Sequence, residues 1–202
     1  MLNIPEYKEY AGETKIALMD NSSLAFMHEL SQRSYPSDGI LSVYDLILIP
    51  KWVMEEIEDS TYRSTYVEQL QAQGYPIRWI DETKYGAFVN DEDVNLYYII
   101  EAAVSRVSEL MRFLRRKVKT EDLIDLPSAE EWMNRLYDEW PIHGRTLSTG
   151  RTLKKNAGEI SLTILAEIFA WYHDGVDSLT IYTQDTDCLL YTSPSPRDTE
   201  RS

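Results

Sequence analysis

Four acids, Asp20, Glu56, Glu159 and Asp185, occupy positions from which carboxylate chemistry is expected. Asp20 ends the short apolar run TKIALMD (Thr14–Asp20), and Asp185 ends LTIYTQD (Leu179–Asp185). Both runs read as buried strands. Open α/β sheets bind ligands beyond the carboxyl ends of their strands, at the crevice where strand order reverses, so two such acids converge there. Glu56 lies about two turns into the helix expected after LILIP, with Glu55 beside it on a different face. Glu159 opens a helix just past Gly158, and Asp187 follows Asp185 by two residues.

Carboxylates crowded into one crevice repel each other and would be partly protonated unless a cation neutralised them. Mg²⁺ or Mn²⁺ suits that task, since each takes hard oxygen ligands and needs few carboxylates besides phosphate oxygens. Such a metal can activate a water and stabilise the leaving oxygen of an in-line attack on a phosphodiester. Thr183, two residues before Asp185, is a candidate to hold that water or a phosphate by hydrogen bonding. Taken one at a time, the acids have plainer readings. Asp20 before Asn21, Ser22 and Ser23 is a helix cap. Glu56 is a solvated helix residue, and Glu159 is favoured at a helix start by the dipole alone.

These acids need a scaffold, and the chain reads as one. Thr14–Asp20 followed by NSSLAFMHEL is strand, cap and helix. Tyr44–Ser60 repeats the arrangement, with a strand over Leu46–Ile49 and Pro50 in the first turn of a helix whose apolar face is Trp52, Val53, Met54 and Ile57. Tyr75–Asp81 is a third strand. Asp93–Lys119 reads as a long amphipathic helix with an acidic start and a basic end. Pro127–Trp140 reads as another, opened by Ser128 and Glu131 in a capping-box pattern. A polar, basic loop follows. Glu159–Gly175 is a helix stopped by Gly175, and Leu179–Asp185 is the next strand. Apolar strands alternating with helices predict an α/β fold with a parallel sheet and helices on both faces.

Four blocks in this order resemble the PIN-domain family of metal-dependent nucleases. They are IALMD with Ser close behind, PKWVMEEI, AGEISL and YTQDTD. The resemblance implies a PIN-like three-layer sandwich around a parallel sheet. It implies a metal held by Asp20, Glu56, Glu159 and Asp185, with Asp187 as an auxiliary ligand, and RNA more than DNA as substrate. It does not cover the helical insertion at about 91–140, and the family's final strand is absent, as a truncated domain would be.

The loop before Glu159 carries Arg145, Arg151, Lys154 and Lys155 with two glycines. In a chain of net charge −14, which counts against a general polyanion-binding surface, a local basic stretch is the candidate to hold a phosphate backbone. Thr183 joins that nucleic-acid set. His28, His143 and His173 show no metal spacing. A lone cysteine, Cys188, excludes an internal disulfide or thiolate cluster. No basic, apolar leader opens the chain, and no apolar run approaches the roughly 18 residues of a membrane span. A cytoplasmic protein without membrane contact is expected.

Cys188–Asp198 (CLLYTSPSPRD) back-translates into a string resembling the transposase end and adapter used to prepare sequencing libraries. The natural protein is therefore expected to depart from this text at about Asp187. Residues 1–187 then form the PIN-like domain and 188–202 a non-native tail, Cys188 included. The expected activity is Mg²⁺- or Mn²⁺-dependent hydrolysis of single-stranded RNA. A non-catalytic PIN-like module binding RNA or protein is the alternative. A phosphatase ranks lower, because LMDNSS lacks a second Asp two residues after the first. A protein inhibitor or antitoxin and a homodimer both stay open.

Overall fold

In the computed structural model the described residues are 13–34, 38–81, 143–154, 157–172 and 176–184. Four strands build the central sheet: β1 (Lys15–Met19), β2 (Leu46–Pro50), β3 (Ile77–Ile80) and β6 (Ser178–Tyr182). Their order is β3-β2-β1-β6, and all three pairings are parallel. Ile16, at the centre, is in register with Leu46 on one side and Leu179 on the other. Ile16 to Met19 and Ile47 to Ile49 are fully buried, as a parallel strand covered on both faces requires.

Successive side chains alternate between the faces. Ala17, Met19, Ile47 and Ile49 share one cluster with Leu24 and Met27 of α1 (Asn21–Gln32), and with Tyr66, Val67 and Leu70 of α3 (Thr61–Ala72). Ile16, Leu18, Leu46 and Leu48 point the other way. There α4 (Ala157–Tyr172), which runs against β1, β2 and β6, buries Leu162, Leu165 and Phe169. The chain is thus α/β with a parallel sheet, as expected. Among the described residues no helix is long and apolar enough to cross a membrane.

Three elements differ from expectation. Pro50 is not in the first turn of α2 (Lys51–Glu58) but is the extended residue ahead of it, at φ −63° and ψ 151°. Its missing N–H costs nothing there, and Trp52, Val53, Met54 and Ile57 are buried as the pattern requires. Helix α3 leaves little apolar pattern in the sequence, because only Tyr66, Val67 and Leu70 of its twelve residues are buried. The basic loop is in fact an antiparallel hairpin of β4 (His143–Thr146) and β5 (Thr152–Lys154). Gly150 turns it at φ +84°, where a side chain would be strained. Leu147 and Leu153 are buried against the body. The expected helices Asp93–Lys119 and Pro127–Trp140, and the tail from 188, lie outside the described residues.

Two features fix how the elements meet. A Cβ on Gly158 would stand 3.1 Å from Val53 Cγ2, so the bare backbone there lets the start of α4 approach α2. Asp45 ties the starts of β1 and β2: its Oδ2 accepts from Lys15 N at 3.0 Å, Thr14 N at 3.2 Å and Thr14 Oγ1 at 3.0 Å. The Lys15 N–H first, then the Thr14 hydroxyl and N–H, hold the Asp45 carboxyl below its ordinary value of 3.8. A folded value below the unfolded one means this stabilisation is present above pH 3.8 and is lost as pH falls through the folded value. Asp45→Asn should therefore lower the melting temperature at neutral pH, with the gap closing in acid. Thermal unfolding across that range is the check, and a gap that stays constant would reject the charge-based account.

Candidate active site

The chain steps from β1 to β2 to β3 in one direction and returns to the opposite side of β1 with β6. Strand order therefore reverses between β1 and β6, which is where an open sheet leaves a crevice at its carboxyl edge. Asp20 leaves β1 at that point. Its backbone N–H donates to Tyr182 O at 3.1 Å, so the acid is held between the two strand ends. The side chain is buried.

Both carboxylate oxygens of Asp20 are engaged. Oδ1 accepts from Ser23 N at 2.7 Å and caps α1, so the cap reading holds. Oδ2 accepts from Ser22 Oγ at 2.8 Å and from Thr183 Oγ1 at 2.5 Å. Gln184 N donates to Ser22 Oγ at 2.9 Å, closing the stitch between β6 and the start of α1. A carboxylate offers about four acceptor positions, so three donors leave capacity for a further ligand. Thr183, a candidate from sequence to hold a water or a phosphate, here donates to Asp20 from a strand far along the chain. Asp185 and Asp187, two and four residues beyond Thr183, lie outside the described residues, as does Lys155.

Glu56 is half-buried on α2, and its Oε2 accepts from Asn21 Nδ2 at 3.0 Å. Burial pushes its carboxyl above the ordinary range. The Asn21 bond and then the fields of Arg145 and Arg63 draw it back, while the Asp20 charge pushes it up. The two acids thus feel one another across the head of α1. Glu159 opens α4 and is half-buried, and its backbone carbonyl accepts from Thr163 Oγ1 at 2.8 Å. Among the described residues no three His, Cys, Asp or Glu side chains stand close enough to hold a metal ion. Asp20 and Glu56 are brought together, and Glu159 does not join them in a set of three.

The hairpin cations are engaged by acids of α2 and its end. Arg145 Nη2 lies 3.2 Å from Asp59 Oδ2, and Arg151 Nη1 lies 2.5 Å from Glu55 Oε1. Ser148 N donates to Asp59 Oδ1 at 2.5 Å. That N–H and then the Ser148 side chain hold Asp59 below its ordinary value. Both arginines are half-exposed, so each retains a face toward solvent. Lys154 ends β5.

Two residues of the cluster were not singled out as functional from sequence. From sequence Asn21 reads only as a helix-start residue. Arg63, half-buried on α3, donates from Nη1 to Asn21 Oδ1 at 2.8 Å. Burial, and then the nearby Arg145 charge, hold its pKa below the ordinary guanidinium value. The sequence signal for it is slight: a lone cation after Glu55, Glu56, Glu58 and Asp59. His28 keeps a structural role, its ring 5.1 Å from that of Tyr66. At the end of β6, Tyr182 shares a 2.9 Å hydrogen bond with the Tyr44 hydroxyl. Burial and that bond push it up to about 12, so it stays protonated at neutral pH.

Comparison with models of known families, with curated proteins and with solved structures finds no match to this chain.

Proposed function

We propose that the chain is a PIN-like, metal-dependent ribonuclease that hydrolyses phosphodiester bonds of single-stranded RNA at the β1–β6 crevice. The observation that carries this reading is the buried Asp20 carboxylate at the strand-order reversal, with Thr183 and Ser22 on one oxygen and Glu56 held beside it through Asn21. The ordered blocks resembling the PIN family support the same reading, including a three-layer fold.

The donor chemistry fits a hard divalent cation, since two carboxylates are backed by hydroxyl and amide groups. Asp20 and Glu56 would hold Mg²⁺ or Mn²⁺, with Glu159, Asp185 and Asp187 as the remaining candidates. When bound, the ion supplies charge neutralisation and activation of the attacking water. The chain's own groups do the rest. Ser22 and Thr183 fix the Asp20 oxygen, Asn21 fixes Glu56, and Arg63 with Arg145 lowers the negative potential met by an incoming phosphate.

One observation favours a second reading, a non-catalytic PIN-like binding module. Asp20 already serves as a helix cap, and Arg145 and Arg151 already serve as clasps. Cleavage of labelled single-stranded RNA in Mn²⁺, Mg²⁺ or EDTA separates the two. Metal-dependent cuts support the ribonuclease; none from a folded chain leaves the binding module.

Backbone contact is expected from the basic set of the hairpin, Lys154 and Lys155 among them. Lys154→Ala with Lys155→Ala should lower the slope of log affinity against log salt by roughly 0.7 per lysine. An unchanged slope would remove both from the RNA path.

A further inference from the structure

We infer that Arg63 is a positioning residue for the Glu56 carboxylate, acting through the side-chain amide of Asn21. The functional meaning of this rests on the ribonuclease reading above, while its geometry does not. Three helices contribute: Asn21 is the first residue of α1, Glu56 lies in α2 and Arg63 in α3. The three helices pack on one another, and all three side chains are half-buried, so water competes weakly for their hydrogen bonds.

The chain of bonds has one sense. Arg63 Nη1 donates to Asn21 Oδ1 at 2.8 Å, and Asn21 Nδ2 donates to Glu56 Oε2 at 3.0 Å. An amide can rotate to exchange its oxygen and nitrogen, but its two partners here cannot exchange roles. A guanidinium only donates, and an ionised carboxylate only accepts. Rotating the amide would set oxygen against carboxylate and NH₂ against guanidinium, losing both bonds. Arg63 therefore locks the amide with its donor toward Glu56.

The lock reaches both acids from one place. Asn21 directly follows Asp20, so the same helix start that caps on Asp20 also presents the amide that holds Glu56. The nearby Arg145 is tied to Asp59, which leaves the Asn21 contact to Arg63. Residues that orient ligating side chains commonly change metal affinity by 10–100-fold when removed.

The test uses the full chain with Arg63→Met, Arg63→Lys, Asn21→Ala and Glu56→Gln, alone and combined. Melting temperatures report coupling, and electron paramagnetic resonance titration reports Mn²⁺ affinity. Arg63→Met and Glu56→Gln should be non-additive in melting temperature, and the non-additivity should vanish when Asn21→Ala is present. Mn²⁺ affinity should fall roughly 10–100-fold in Arg63→Met. Arg63→Lys, which keeps a donor for Oδ1, should recover most of it. Additive melting shifts overturn the inference whatever the metal does, and so does an unchanged Mn²⁺ affinity in Arg63→Met. If the melts are coupled but the unsubstituted chain neither binds Mn²⁺ nor cuts RNA, the relay stands and the ribonuclease reading falls.

Discussion

Asp20→Asn is expected to abolish metal-dependent RNA cleavage while leaving the chain folded. Asparagine caps a helix about as well as aspartate, so the bond from Ser23 N, 2.7 Å in length, survives on the amide oxygen. The new NH₂ then faces the Ser22 and Thr183 hydroxyls, which can rotate from donating to accepting. What disappears is the charge. The helix start loses about 0.3–1 kcal/mol of dipole interaction, a small fraction of a domain's stability. A preorganised electrostatic group at the reacting centre, by contrast, is commonly worth on the order of 10²–10³-fold in kcat. Asp20→Ala differs, because it removes the cap as well and should cost about 0.5–2 kcal/mol of stability. Cleavage rates and thermal melts of the two variants, read together, separate charge from cap. An Asn variant that melts normally and still cuts RNA would take Asp20 out of the site.

That separation matters because the sequence already carried both roles and could not choose between them. The strand that places Asp20 and its neighbour β2 are legible, since IALM and LILI are unbroken apolar runs that only a sheet covered on both faces absorbs, while β6, which places Thr183, is read from the shorter run LTIY. Parallel topology then brings the two strand ends together across 163 positions. Helix α3 was not legible, because three buried residues in twelve leave little period and Ser60 makes no side-chain cap bond. The hairpin was missed for a related reason: strands of four and three residues alternate too briefly to register. Its docking onto α2 depends on pairs such as Arg151 with Glu55, 96 positions apart. Arg63 carries no such signal, because its role exists only through Asn21, 42 positions away and on another helix. The individual ligands of a crevice can be proposed from strand ends, whereas the residues that hold them in place emerge from packing.

Packing also sets the other large effect. Phe169→Ala should destabilise the fold by about 3–5 kcal/mol, the usual cost of emptying a buried aromatic site. Among the described residues Phe169 is the largest of the completely enclosed side chains, and it lies on the helix that runs against β1, β2 and β6. At roughly 2–4 °C per kcal/mol for a chain of this size, the melting temperature should fall by roughly 6–20 °C. Phe169→Leu refills most of the volume and should lose less. Phe26, 44% exposed on α1, is the internal control, and its replacement by Ala should shift stability by no more than about 0.5 kcal/mol. The consequence for the site follows from where α4 lies. It supports β6 from below, and β6 delivers Thr183 to Asp20. A loosened α4 should therefore weaken cleavage even at temperatures where Phe169→Ala remains folded, with Phe169→Leu intermediate. Cleavage that stays at the unsubstituted rate in a folded Phe169→Ala chain would mean that the Asp20–Thr183 contact is set by the strand ends alone.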